Sequence, residues 1–92
     1  MAVAQIRVVP VVSGSLRSYV KVAVDEIRKT GLKTAVGPMA TAVEGDFDEI
    51  LEAAAKAHKA VMSMGPGRVL TEISIDDREA GITIEGKMTG LE

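Results

Sequence analysis

The spacing of apolar residues along this chain switches between a period of about two and a period of about 3.6, and each switch marks an element. Residues 2 to 12 alternate: Ala4, Ile6, Val8, Pro10 and Val12 share one face, with Gln5 and Arg7 on the other. This reads as a strand with one apolar face, closed by "SGS" at 13 to 15. From 16 to 30 the stripe becomes helical. Leu16, Tyr19, Val20, Ala23, Val24 and Ile27 lie on one side, and Arg17, Lys21, Asp25 and Arg28 lie opposite. Ser15 is the expected N-cap, and Gly31 stands where a C′ glycine belongs. Residues 32 to 44 are extended but interrupted by "GPM" at 37 to 39, which predicts a hairpin with strands near 32–36 and 39–44. From 47 to 64 a longer helix places Phe47, Ile50, Leu51, Ala54, His58, Val61 and Met62 on one face. Asp48, Glu49, Glu52, Lys56 and Lys59 take the other. "GPG" at 65 to 67 stops it. Residues 68 to 77 alternate again, Val69, Thr71, Ile73 and Ile75 against Arg68, Leu70, Glu72 and Ser74.

The order β-α-β-β-α-β predicts an α+β fold, the ferredoxin-like sandwich: a four-stranded antiparallel sheet with two helices on one face. The other face then shows Arg7, Glu72 and Ser74 mixed with Val9 and Leu70, a half-apolar surface suited to a partner. The tail over 78–92 carries "GITIEG", whose alternation predicts an extra strand that could pair with a neighbouring chain.

Composition sharpens this picture. The chain has 92 residues, the size of a single domain, and is 47% hydrophobic but only 2% aromatic. Its core must therefore be aliphatic, and thin enough that self-association is expected to support it. The net charge is −2 with no basic run, which argues against nucleic acid as a partner. The absence of Cys excludes disulfides, cysteine-held metals and thiol catalysis, and one His cannot build a His-rich metal site. No metal is expected. No signal-peptide pattern and no run of eighteen apolar residues is present, so the expectation is a soluble cytoplasmic protein without membrane contact.

Candidate chemistry concentrates in "TAVEGDFDEIL", residues 41 to 51, with Glu44, Asp46, Asp48 and Glu49 close together. Asp46 with Glu49 three residues later is a capping box, and Asp48 adds favourable charge to the first helical turn. Glu44 lies outside that box at a strand end. Two readings stay open for it: a solvated strand end, or an acceptor for a cationic or N–H-bearing ligand. His58 sits within the apolar stripe of the longer helix, either as a hydrogen-bonded core residue or as a ligand contact. Tyr19 is either core packing or a stacking surface for a ring. "SGS" opens a helix, as a plain N-cap or an anion-responsive start. No nucleophile and no acid/base constellation is marked, so catalysis is not expected.

Three segments, "PVVSGSLRSYV", "GPMATAVEGDFDEILEAAAKAH" and "ISIDDREAGITIEGKM", together resemble the small thiamine-binding-protein family nearly end to end. The most specific piece is Pro38, Thr41, Glu44, Gly45 and Asp46. The resemblance implies a ferredoxin-like domain, assembly into homodimers or homotetramers, and non-catalytic binding of thiamine or its hydroxymethylpyrimidine part, as a ligand rather than a catalytic cofactor. Some relatives carry a Ser-Asn pair in the hairpin where this chain has Met39 and Ala40, so one hydrogen-bonding amide is lost here. On this reading Glu44 and Thr41 serve the ring edge of the pyrimidine. Tyr19 or Met39 serves its face, and the pocket lies at a subunit boundary. The expected function is an oligomeric carrier or sensor. The alternative is a structural or regulatory oligomer that binds another protein through its sheet face.

Overall fold

The computed structural model describes residues 1–91, and its elements run β1 (Ala2–Pro10), α1 (Arg17–Lys29), β2 (Lys33–Val36), β3 (Thr41–Gly45), α2 (Phe47–Met62), β4 (Val69–Asp77) and α3 (Ile84–Met88). The four strands form one antiparallel sheet in the order β2-β3-β1-β4, the ferredoxin-like arrangement the sequence predicts. β1 is central: Val3 pairs with Glu44 on one side and Asp76 on the other, and Arg7 pairs with Glu72.

Strand alternation assigns the two faces. Ala2, Ala4, Ile6 and Val8 of β1 and Val43 of β3 are buried beneath α1 and α2. Ile27 of α1 and Ile50 and Val61 of α2 close the core from above. Burying each of these side chains contributes about 1.5–3 kcal/mol. Ala23, Ala53, Ala54 and Ala57 are buried as well, and their small side chains let the two helices sit close to the sheet and to each other.

α2 is therefore rotated from the face expected of it. Ala53 and Ala57 join Ile50, Ala54 and Val61 in the buried arc, while Phe47, Leu51 and Met62 remain exposed. The start of α2 matches the sequence reading: Glu49 Oε1 accepts from the Asp46 N–H at 3.0 Å, one half of the capping box. The start of α1 does not. Its N-cap is Leu16, and Ser15 Oγ instead accepts from the Arg17 N–H at 3.2 Å. α1 ends as predicted, with Gly31 at φ +79°, a conformation glycine adopts without Cβ strain.

The tail departs furthest from expectation. The stretch predicted as an added strand forms the short helix α3, because the Thr83 hydroxyl accepts from the Gly86 N–H at 2.9 Å and so starts a helical turn. Residue 92 of the tail lies outside the described residues. Among the described residues, no helix is long and apolar enough to cross a membrane.

Candidate ligand-binding site

Side chains in a strand alternate, so residues three apart point to opposite faces. In β3 this separates the two halves of the motif. Thr41 faces the helices and is 6% exposed, whereas Glu44 faces the open side of the sheet. The shared ring-edge site expected of Thr41 with Glu44 is therefore not formed within one chain: the sheet lies between them.

Thr41 opens onto a slot of about 310 Å³ on the helix side. Leu16 at the N-cap and Val20, Ala23 and Val24 of α1 form one wall, with Ile6, Val8 and Val36 of the sheet below. The turn Gly37 to Ala40 forms the rim and is closed by a 3.0 Å hydrogen bond from the Gly37 N–H to the Ala40 carbonyl. Arg7 and Val9 also line the slot, but strand parity turns their side chains to the other face, where Arg7 Nη1 meets Glu72 Oε1 at 3.1 Å. The walls are aliphatic, and among the described lining residues Thr41 supplies the one side-chain hydroxyl and no carboxylate is present. Leu16, Val20, Val36 and Met39, four of the exposed large apolar residues, all border this slot. A cluster of exposed apolar side chains around a concavity marks a surface that something covers.

The remaining candidates lie elsewhere. Glu44 Oε1 accepts from the Ile84 N–H at 2.8 Å and so anchors α3 to the open sheet face. There α3 and the sheet enclose a second hollow of about 360 Å³, lined by Val3, Gln5, Ala42, Ser74, Ile84 and Met88 among others. Asp76 and Lys87 also line it and are bonded to each other. The Lys87 ammonium donates to the Asp76 carboxylate and holds its pKa below the ordinary 3.8. His58 is half-buried, with Nδ1 2.6 Å from Thr71 Oγ1, which ties α2 to β4. Tyr19 is half-buried and packs against the core, outside the lining of the slot. Among the described residues, no group of three or more His, Cys, Asp or Glu is placed to hold a metal.

Of the five residues singled out in the sequence, the structure thus brings together Thr41 and Met39. Leu16, Val20 and Val36 complete the slot without having been singled out. Their signal lay in position, since two sit on the α1 stripe beyond its buried part and the third directly precedes Gly-Pro.

The fold and this slot define a small α+β protein with a concave apolar site built on one sheet, one helix and one turn. The family model for thiamine-binding proteins matches residues 4–92, and the chain belongs to that family. It is 41% identical over 81 residues to the UPF0045 protein of Methanothermobacter thermautotrophicus, covering 85% of this chain and 82% of that one. A solved protein of Methanocaldococcus jannaschii is 37% identical and superposes with a TM-score of 0.90, covering 98% of this chain and 94% of that one. A Thermotoga maritima structure, described as that of a candidate thiamine biosynthesis/salvage protein, is 30% identical with a TM-score of 0.90, covering 99% and 98%.

Proposed function

We propose that this chain is a non-catalytic binding protein for thiamine or its hydroxymethylpyrimidine part, working as a homo-oligomeric carrier or sensor, and that the slot beneath the β2–β3 turn takes the pyrimidine. The observation that carries this reading is the placement of Thr41: a nearly buried hydroxyl at the floor of an otherwise aliphatic slot rimmed by exposed Met39. A flat heteroaromatic ring needs apolar surface on its faces and a hydrogen-bonding group at its edge, and the slot offers both. Its volume lies at the lower end of the range of about 300–1,000 Å³ for small-molecule sites.

The charge pattern adds a preference. With no carboxylate among the described lining residues, the slot gives the thiazolium cation no counter-charge. The neutral pyrimidine enters and the thiazolium stays at the mouth in water, where its hydration costs nothing to keep. Hydroxymethylpyrimidine alone then retains most of the affinity of thiamine. Titration calorimetry with both compounds tests this. Heat of binding with comparable Kd for the two supports the reading, and no heat from either at millimolar ligand overturns it.

Support for the other reading, a protein partner on the open sheet face, is thinner. Leu70 is exposed there, but α3 already covers Val3, and the Arg7–Glu72 ion pair crosses the middle of the face.

A further inference from the structure

We propose that a gap in the sheet beside the β2–β3 turn seats a phosphate group, held by the Arg7 guanidinium and the Val8 N–H, so that the slot takes the phosphate monoester of the pyrimidine alcohol in preference to the free alcohol. This rests on the slot reading above, and the test below separates the two.

The gap follows from strand length. β1 runs nine residues and β3 only five. Their pairing ends at Ile6 with Thr41, while β1 continues to Pro10 paired with β4 alone. The turn Gly37 to Ala40 precedes β3 at this end. Its backbone bond closes on itself, from Gly37 to Ala40, and among the described residues none joins the turn to β1. Residues 7–10 of β1 therefore face the turn with no ladder between them.

One buried donor points into this gap. The Val11 N–H donates to the Arg68 carbonyl at 2.8 Å, on the β4 side. The ladder bonds of a central strand alternate between its two sides, so Arg7 and Val9 also bond towards β4, and Val8 and Pro10 turn towards the gap. Pro10 has no N–H to leave unpaired there. Val8 has one. The residue is 7% exposed, and among the described residues neither the β3 ladder nor the turn accepts from it. A buried N–H without a partner is costly, and an acceptor on a ligand relieves that cost.

The gap also joins two concavities. The slot lies on the helix side of the sheet, and a hollow of about 460 Å³ lies on the open face. Arg7 and the turn Gly37 to Ala40 border both, and Gln5 and Glu72 complete the hollow. Arg7 is the one charged residue among the described lining of the slot. Of the five N–H groups of a guanidinium, Arg7 spends one, on Glu72 Oε1. The others remain in the planar fork that suits phosphate. Glu72 is 69% exposed on its side chain and is free to turn to water. Strand parity places Glu44 and Asp76 on this face as well, but at the level of Val3, about 13 Å from Arg7 along β1, and both are engaged by α3.

A pyrimidine seated in the slot with its hydroxymethyl arm under the turn brings the arm's oxygen to the gap. A free hydroxyl there competes with water on equal terms. A phosphate on the same oxygen reaches both the Val8 N–H and the guanidinium, and these charge-assisted bonds exist only for the ester.

Calorimetric titration of the wild type with hydroxymethylpyrimidine and with its phosphate monoester tests this. The ester should bind about tenfold more tightly than the alcohol, and the advantage should shrink as salt rises. Arg7→Gln should bring the two Kd values together. Glu72→Gln, which frees the guanidinium, should widen their ratio. Lys59→Gln, which removes a positive charge on α2 away from the gap, should leave the ratio as in the wild type. Thiamine monophosphate, whose phosphate lies beyond the thiazolium, should gain nothing over thiamine. Equal Kd values for ester and alcohol, an advantage that persists in Arg7→Gln, or an equal gain for thiamine monophosphate overturns the phosphate seat and leaves the slot reading standing. Binding of neither ester nor alcohol overturns both.

Discussion

The Glu44 carboxylate accepts a hydrogen bond from the Ile84 N–H at 2.8 Å, joining positions forty residues apart in the chain. It holds the first turn of α3 against the open face of β3, and Lys87 holds the next turn to Asp76 on β4. Glu44 is thus the fastening point of the tail.

Replacing Glu44 with Ala should therefore release α3. The loss expected is about 1.5–3 kcal/mol, the usual worth of a hydrogen bond to a charged group. Hydrogen exchange at residues 84–88 should rise to that of an unstructured segment, and urea midpoints should fall. Affinity for thiamine should stay unchanged, because Glu44 lies across the sheet from the slot.

The acid dependence of stability should carry a contribution from Asp76. Its folded pKa is lowered below 3.8, first by the hydrogen bond from Lys87 and then by that ammonium's charge. A depressed carboxylate pKa favours the folded state above the unfolded value, and the benefit disappears as pH falls through the folded value. The loss should therefore appear below about pH 3.8 and be small, since the pair is exposed. In Asp76→Asn, the melting temperature measured from pH 6 to pH 2 should fall less steeply than in the wild type.

Gly37→Ala should loosen the rim of the slot. A Cβ at this position would stand 2.9 Å from the Ala40 carbonyl oxygen, a backbone atom that moves only if the turn moves. The 3.0 Å hydrogen bond closing the turn joins these same two residues. The expected result is a loss of about 1 kcal/mol in stability, within the common range for a backbone misfit. Several-fold weaker ligand binding should accompany it, read by urea denaturation and calorimetry on the same sample.

Thr41→Val keeps the shape of the slot floor and removes its hydroxyl. A site built around a ring-edge hydrogen bond should lose about tenfold in affinity, or about 1.4 kcal/mol. Folding stability should be nearly unchanged, since no buried partner is left unpaired. A parallel loss of stability would instead make Thr41 a structural residue.

Much of the fold was legible in the chain because period and punctuation agreed. "DFDE" started α2 as its capping box required, Gly31 ended α1, and Gly-Pro divided the hairpin. The apolar pattern turns α2 towards its heavier residues, because alanines weigh little in it. Ala53 and Ala57 are buried through close approach of the backbones, while Phe47 and Met62, heavier in the pattern, stay outside. The tail misled because Ile82 and Ile84 alternate with Thr83, and a hydroxyl that caps a turn looks the same in a pattern as one that faces water. At the site, the motif drew Thr41 and Glu44 together in sequence, yet strand parity, itself readable from their spacing, sends them to opposite faces. The slot could not be read whole, because its walls come from residues 6 to 41 and meet only after the sheet has formed.

The central claim is that the ligand sits beneath the β2–β3 turn, and amide chemical-shift mapping with hydroxymethylpyrimidine tests it most directly. The predicted result is a set of shifts confined to residues 37–41 and 16–24, saturating with ligand. Shifts centred instead on Gln5, Ser74 and residues 84–88 would place the ligand in the hollow under α3 and contradict the claim, as would a spectrum unchanged at millimolar ligand.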